Sequence, residues 1–332
     1  MEKYYPPFKI TNEMLSLVAS IMEKIGKVDS FNNLDELPIL RKQNRIKSIH
    51  SSCAIEANSL SFDQVQDVIN GINVVGPQKD IIEVQNAIEA YKEIENINPF
   101  DEEELKRIHF IFGKNVVKNP GKYRSGNEGV SDENGNIVFV APQPNLVPIH
   151  MSNLFSWIKK EFKTVNPLIL SSVFHYEFVF IHPFSDGNGR TVRFWQNAIL
   201  GKWKPIFYWL PIENKIQQYQ EDYYKAISMS HLNGESTAFI VFMLKMIDQT
   251  FSDLLSDAFD YENSTSIYIK KLLESLKPYI WYTSNDILKA LGLKSKEALR
   301  KNYLGPAIKK ELIILEFPDK PTSKNQRYKL VR

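Results

Sequence analysis

The chain has 332 residues, about two to three times the usual domain length, so two or three structural units are expected. Its 43% apolar and 24% charged residues describe a folded globular protein, and its single cysteine, Cys53, excludes a disulfide framework and a multi-cysteine zinc site. The net charge of +2 hides an asymmetry: residues 263–332 carry 15 Lys and Arg against 6 Asp and Glu, while the remainder carries 26 against 33.

A basic C-terminal unit on an acidic body implies two tasks, one of them with an anionic partner. Met1 to Ile10 lacks the apolar core of a secretory signal, and the longest apolar run, Ala238 to Leu244, is too short to cross a bilayer. A cytoplasmic protein with no membrane partner is expected.

The pattern is mainly α. The spacing of Leu37, Leu40, Ile46, Ile49 and Ile55 predicts a helix over Asp35 to Ala57. Ser61 and Gln64 form a capping-box pair opening the next helix, and further helices are expected over Pro77 to Glu95 and from the Asp101 cap to Phe112. Ile137 to Val140 reads as a short strand, paired with Gly129-Val130 through a type I′ turn at Asn134-Gly135. Helices resume at Ile149 to Phe162, at Pro167 to Ile181 and from Thr191 to about Asp257, with a break at Trp203 to Pro211. The last unit predicts helices over Ser266 to Leu276, Thr283 to Leu291 and Ser295 to Lys310, then strands at Ile313 to Phe317 and Arg327 to Leu330. Three helices and a hairpin are the layout of a winged helix.

The richest stretch runs from His182 to Arg193, His-Pro-Phe-Ser-Asp-Gly-Asn-Gly-Arg-Thr-Val-Arg. A helix ends at Ile181 and another starts near Asn188, with Gly187 and Gly189 between them to let backbone N–H groups face an anion. The new helix adds partial positive charge, so a phosphate is the natural ligand. Arg190 and Arg193 share one helix face and can grip its oxygens. Asp186 beside them would repel phosphate unless a divalent cation bridges the two, which argues for Mg²⁺. His182 is placed to take a proton from an attacking hydroxyl. Each piece alone is ordinary; within twelve residues their coincidence is hard to assign to packing.

This segment resembles the Fic-domain motif, His-Pro-Phe-x-Asp/Glu-Gly-Asn-Gly-Arg-x-x-Arg, at every defined position. The similarity extends from about Pro99 to Met246 through Tyr123-Arg124, the Val138-Phe-Val strand, Pro142-x-Pro144 and Tyr223-Tyr224. The resemblance implies an all-helical core with a β-hairpin flap, and transfer of AMP from ATP to a Ser, Thr or Tyr hydroxyl of a protein, the chain itself included, with release of pyrophosphate. It implies His182 as general base and Asp186 as the holder of Mg²⁺, with Mn²⁺ the alternative metal. Asn188 and the amides of Gly187 and Gly189 would bind the α-phosphate, Arg190 the β-phosphate and Arg193 the γ-phosphate, with Thr191 and Val192 inside the same nucleotide-binding segment. Tyr223 and Tyr224 would line the nucleotide pocket. Ile137, Val138, Phe139 and Val140 would form the flap that docks a target strand by β-augmentation. His175 reads as a structural neighbour, and His50, His109, His150 and His231 show no ligand spacing.

Ser51 to Asn58 resembles the inhibitory helix of the same family, with Ser52 and Glu56 at the matching positions. Glu56 would occupy Arg193 and so keep ATP from productive binding; breaking such a buried pair typically costs about 3–5 kcal/mol. Ala57 stands where glycine usually follows, and because alanine disfavours a left-handed cap the helix is expected to continue to Asn58. The reading is therefore an autoinhibited adenylyltransferase in three parts: 1–98 with the inhibitory helix, 99–258 catalytic, and 263–332 a winged helix. Removal of AMP with Glu56 activating water, or a nucleotide-sensing DNA-binding regulator, are the alternatives. Lys294, Lys296, Arg300, Lys301, Lys320, Lys324 and Arg327 are candidate phosphate contacts to DNA, against a protein-docking role for the same face. A homodimer that buries the inhibitory helix is a further expectation.

Overall fold

The structure, a computed structural model, describes residues 4–30, 38–131, 137–264, 267–277, 280–310 and 312–330. It is mainly α and divides into two compact units, residues 1–26 with 44–252, and 27–43 with 253–332. No helix among the described residues is long and apolar enough to cross a membrane.

The N-terminal helices are α1 (Asn12–Ser30), α2 (Pro38–Ile55), α3 (Phe62–Ile69) and α4 (Gln78–Glu93). The predicted start of α2 at Asp35 lies outside the described residues. Ser61 and Gln64 close the expected capping box on α3. Next come α5 (Glu102–Gly113), capped by Asp101, and the antiparallel pair β1 (Gly129–Ser131) and β2 (Ile137–Val140). The Asn134-Gly135 turn lies outside the described residues.

The centre of the larger unit is built by α6 (Val147–Glu161), α7 (Pro167–Ile181) and α8 (Asn188–Trp203). Asn166 accepts from the Leu168 N–H and Pro167 fills the first helical position, which fixes where α7 begins. A helix apolar on every side must be enclosed; α7 is, and it packs on α6 and α8. The chain continues through α9 (Ile212–Gln218), α10 (Gln220–Asn233) and α11 (Thr237–Ser264).

The smaller unit holds α12 (Ile267–Ser275), β3 (Tyr282–Thr283), α13 (Ser284–Leu291), α14 (Lys296–Ala298), α15 (Gly305–Lys309), β4 (Ile313–Leu315) and β5 (Arg327–Leu330). Leu272, Ile287, Leu299, Ala307 and Ile313 meet in its core. Two expectations change here. The helix predicted over Ser295 to Lys310 is interrupted by a π-type stretch, Leu299–Leu304, because Pro306 cannot donate the next helical hydrogen bond. The hairpin becomes a three-stranded antiparallel sheet of order β3-β5-β4, since Tyr282 and Thr283 pair with Tyr328 and Arg327.

Candidate active site

The loop between α7 and α8 is held from three sides. His182 caps α7 with φ of 49°, a left-handed turn unusual for a residue with a Cβ. Phe184 is fully buried and stacks on the His109 ring at 3.6 Å between centroids and 6° between planes. The Asn188 amide closes the loop on itself, accepting from Phe184 N–H (3.0 Å) and donating to Phe184 C=O (2.7 Å). Gly187, at φ of 78°, caps α8, and the Thr191 hydroxyl donates to its carbonyl at 2.8 Å.

His109 had no assigned role in the sequence. Gly121 N–H donates to its Nδ1 at 2.8 Å, so Nε2 carries the hydrogen and donates to the Asp186 carbonyl at 2.9 Å. Burial holds its pKa down at about 4, so the ring stays neutral. The available signal was positional: on the apolar face of α5 with Leu105, Ile108 and Phe112, a polar ring must find partners.

The Val179 backbone lies close enough to the His182 ring to favour its protonated form. Burial lowers the His182 pKa below the ordinary 6.5, with the Arg124 charge pushing the same way and Glu128 opposing.

Both arginines of the motif are paired with carboxylates from the N-terminal helices. Arg193, 2% exposed, donates to Glu56 (2.8 Å), to the Ser52 carbonyl (2.8 Å) and to the Ser52 hydroxyl (3.2 Å). The Glu56 side chain is 32% exposed, so this is a half-open pair rather than the fully buried one expected. A Cβ at Gly189 would collide with the Glu56 carboxylate, which therefore lies against the first turn of α8. Arg190 meets Glu83 of α4 at 3.1 Å, both side chains buried, while its Nε and Nη1 lack aligned hydrogen-bond partners. Glu83 was not foreseen. Its second oxygen accepts from Asn58 at 3.0 Å, and the same Asn58 amide also donates to the Asp80 carbonyl.

The end of α2 departs from expectation. The helix stops at Ile55, and Ala57 adopts φ of 62°, with Ala57 N–H bonded to Ala54 C=O and Asn58 N–H to Cys53 C=O. This is the Schellman pattern, and the left-handed alanine costs about 1–2 kcal/mol. The Asn58 bonds to Glu83 and Asp80 outweigh that preference. Above this turn Cys53 is buried among Arg190, Glu83, Arg193 and Glu56, its thiol pushed up to about 12 by burial.

The remaining predicted residues separate. Tyr223 is 2% exposed; it bonds His175 Nε2 at 2.9 Å and feels the Arg193 charge, whereas Tyr224 is 48% exposed. His175 also meets Gln196, is fully buried, and burial lowers its pKa to about 3. Thr191 and Val192 are fully buried. In the flap, Gly129 pairs with Val140, Val130 with Phe139 and Ser131 with Ile137. The outer edge of β2 has no strand partner among the described residues. Phe139 stacks on His231 at 4.2 Å, and His231 is hydrogen-bonded to the Tyr176 hydroxyl at 3.0 Å.

The first turn of α8, with the Arg190 guanidinium on it and its Nε without a hydrogen-bond partner, suits an anion. Asp186, half-exposed, is the carboxylate beside them, and no cluster of three metal-binding side chains occurs among the described residues. A cation held by one carboxylate and a substrate's phosphate oxygens is the Mg²⁺ manner, so the residues fit that ion.

Residues 99–200 match the Fic/DOC family, and residues 268–331 match the C-terminal domain of Fic-like "filamentation induced by cAMP" proteins. The chain is 27% identical over 274 residues to a protein adenylyltransferase Fic of Nematostella vectensis, 78% of this chain and 58% of that one. It is also 27% identical to a probable protein adenylyltransferase of Aquifex aeolicus, over 49% of this chain and 50% of that one. The chain thus spans about half the length of the curated relatives it matches. A Fic-1 fragment from Caenorhabditis elegans shares the fold, with a TM-score of 0.61 at 19% identity over 76% of this chain and 74% of that one. The crystal structure of a Fic family protein from Desulfovibrio desulfuricans superposes with a TM-score of 0.74 at 38% identity, covering 98% of both chains. A likeness at that identity over the whole length makes this chain a member of the Fic family.

Proposed function

We propose that the chain is a protein adenylyltransferase that moves AMP from ATP to a protein hydroxyl and is held quiet by its own Glu56. The observation that carries this reading is the Glu56 carboxylate on Arg193, against the first turn of α8 where a phosphate would bind. In the reaction a ring nitrogen of His182 takes the proton of the target hydroxyl. That oxygen forms a bond to the α-phosphorus, and the bond from the α-phosphorus to the leaving pyrophosphate breaks. The backbone amides of α8 and the guanidinium of Arg190 stabilise the charge that develops on the phosphate oxygens. Asp186 would hold Mg²⁺, which supplies charge neutralisation across the phosphates. The flap offers the edge of β2 to an extended target segment.

The test uses ATP labelled at the α-phosphate, with Mg²⁺, on wild type, Glu56→Gly and Glu56→Gly/His182→Ala. Strong labelling by the single variant, weak labelling by wild type and none by the double variant is expected. Equal labelling with and without Glu56 would sink the inhibitory part, and AMP released from a labelled protein would favour the reverse reaction. A second reading concerns the smaller unit, whose surplus of Lys and Arg and winged-helix layout support DNA binding. Duplex binding that weakens steeply between low and physiological salt is the expected result, and salt-independent binding excludes it.

A further inference from the structure

The backbone of His182 needs something to hold it. A left-handed residue with a side chain is disfavoured, and the carbonyls of the last turn of a helix lack intrahelical partners. Arg124 meets both needs. Its Nε donates to the His182 carbonyl at 2.7 Å and its Nη2 to the Ile181 carbonyl at 3.3 Å, while its own N–H donates to the Pro183 carbonyl at 2.9 Å. The same guanidinium reaches both stems of the flap, with Nη1 donating to Gly126 C=O at 2.8 Å and Nη2 to Pro142 C=O at 2.5 Å. Arg124 is 5% exposed, and backbone carbonyls from three segments meet its fork.

We infer that Arg124 is a positioning residue for the transfer: one guanidinium holds the His182 turn and sets both stems of the flap against it. The base and the strand that presents the target are thereby located by one side chain. The fork is needed as well as the charge. Lysine carries the same charge as a single point and cannot serve carbonyls on divergent segments. Through its effect on rate, the inference rests on the adenylyltransferase reading above.

The test compares Arg124→Lys and Arg124→Ala in the Glu56→Gly form of the full chain, with self-labelling from α-labelled ATP as one readout. The second readout is the NMR signal of the His182 ring nitrogens, assigned with His182→Ala. At saturating ATP, Arg124→Lys is expected to label about 100-fold more slowly, the scale of a misplacement near 1 Å, with the half-saturating ATP concentration unchanged. The His182 signal is expected to change from one neutral tautomer to a mixture. Guanidinium ion added to Arg124→Ala is expected to restore at least a tenth of the lost rate, which a general loss of folding would not permit. Labelling within twofold of the parent, or an unmoved His182 signal, overturns the inference. If the parent transfers no label while the His182 signal shifts as expected, the adenylyltransferase reading fails and only the hold of Arg124 on the His182 turn stands.

Discussion

The Glu83 carboxylate lies 3.1 Å from the Arg190 guanidinium, with side chains 6% and 3% exposed. Glu56 and Arg193 approach more closely, at 2.8 Å, but the Glu56 side chain is 32% exposed while that of Arg193 is 1% exposed. Removing Glu83 takes the close carboxylate from a buried Arg190, whereas Arg193 keeps the Ser52 carbonyl and hydroxyl and its lost partner was already screened in part by water. Glu83→Gln is therefore expected to destabilise the larger unit by about 3–5 kcal/mol, and Glu56→Gln by about 1–2 kcal/mol. Urea unfolding of both variants checks the difference, and equal losses would contradict it.

Ala57 gives the second prediction. Glycine adopts its φ of 62° without a Cβ clash but gains freedom when unfolded. The balance favours Ala57→Gly by about 0.5–1 kcal/mol. A higher thermal midpoint is expected, with slower labelling by otherwise wild-type protein because α2 ends more firmly. A lower midpoint would mean that the turn is not strained.

The pH dependence of transfer follows from His182. As the proposed base, His182 must be neutral to accept the target's proton, and burial lowers its pKa below 6.5. The rate of the Glu56→Gly form should stay level as pH falls to 6.5 and decline only further down. A decline beginning above neutrality would show that this ring titrates otherwise.

Glu177 predicts the pH dependence of stability. The residue is 7% exposed, its carboxylate accepts from the Tyr4 hydroxyl at 2.9 Å, and burial raises its pKa from 4.5 to about 7. Between these values the folded state binds the extra proton, so its contribution is greatest below pH 4.5 and is lost as pH rises through 7. The loss is about 3 kcal/mol. Glu177→Gln should flatten that part of the stability profile, as read by urea midpoints from pH 4.5 to 8. An unchanged slope would assign the titration to another group.

The elements around the site were legible where local chemistry decides them. Pro167 and Asn166 fix the start of α7, Gly187 its successor's cap, and Ser61 with Gln64 the start of α3. Ala57 misled because its backbone answers to Asn58, whose partners lie more than twenty residues further on. Glu83 and His109 were missed for the same reason, since no spacing rule links α4 to Arg190 or α5 to Asp186. Adjacent tyrosines on a helix point about 100° apart, so one pattern could not serve Tyr223 and Tyr224 alike; the first is buried and the second faces solvent. Two-residue β3 is too short to carry an alternation.

Cys53 is 2% exposed in the last turn of α2, three residues before Glu56, its thiol pushed up to about 12 by burial. A thiol-specific reagent therefore reacts only in moments when α2 has lifted from its seat, and the alkylation rate counts those moments. Because the chain has no other cysteine, mass spectrometry of the unmodified protein reads that count directly. Faster alkylation of Glu56→Gly than of wild type in native buffer, converging on one rate in denaturant, would turn Cys53 into a native clock for the lifting of α2.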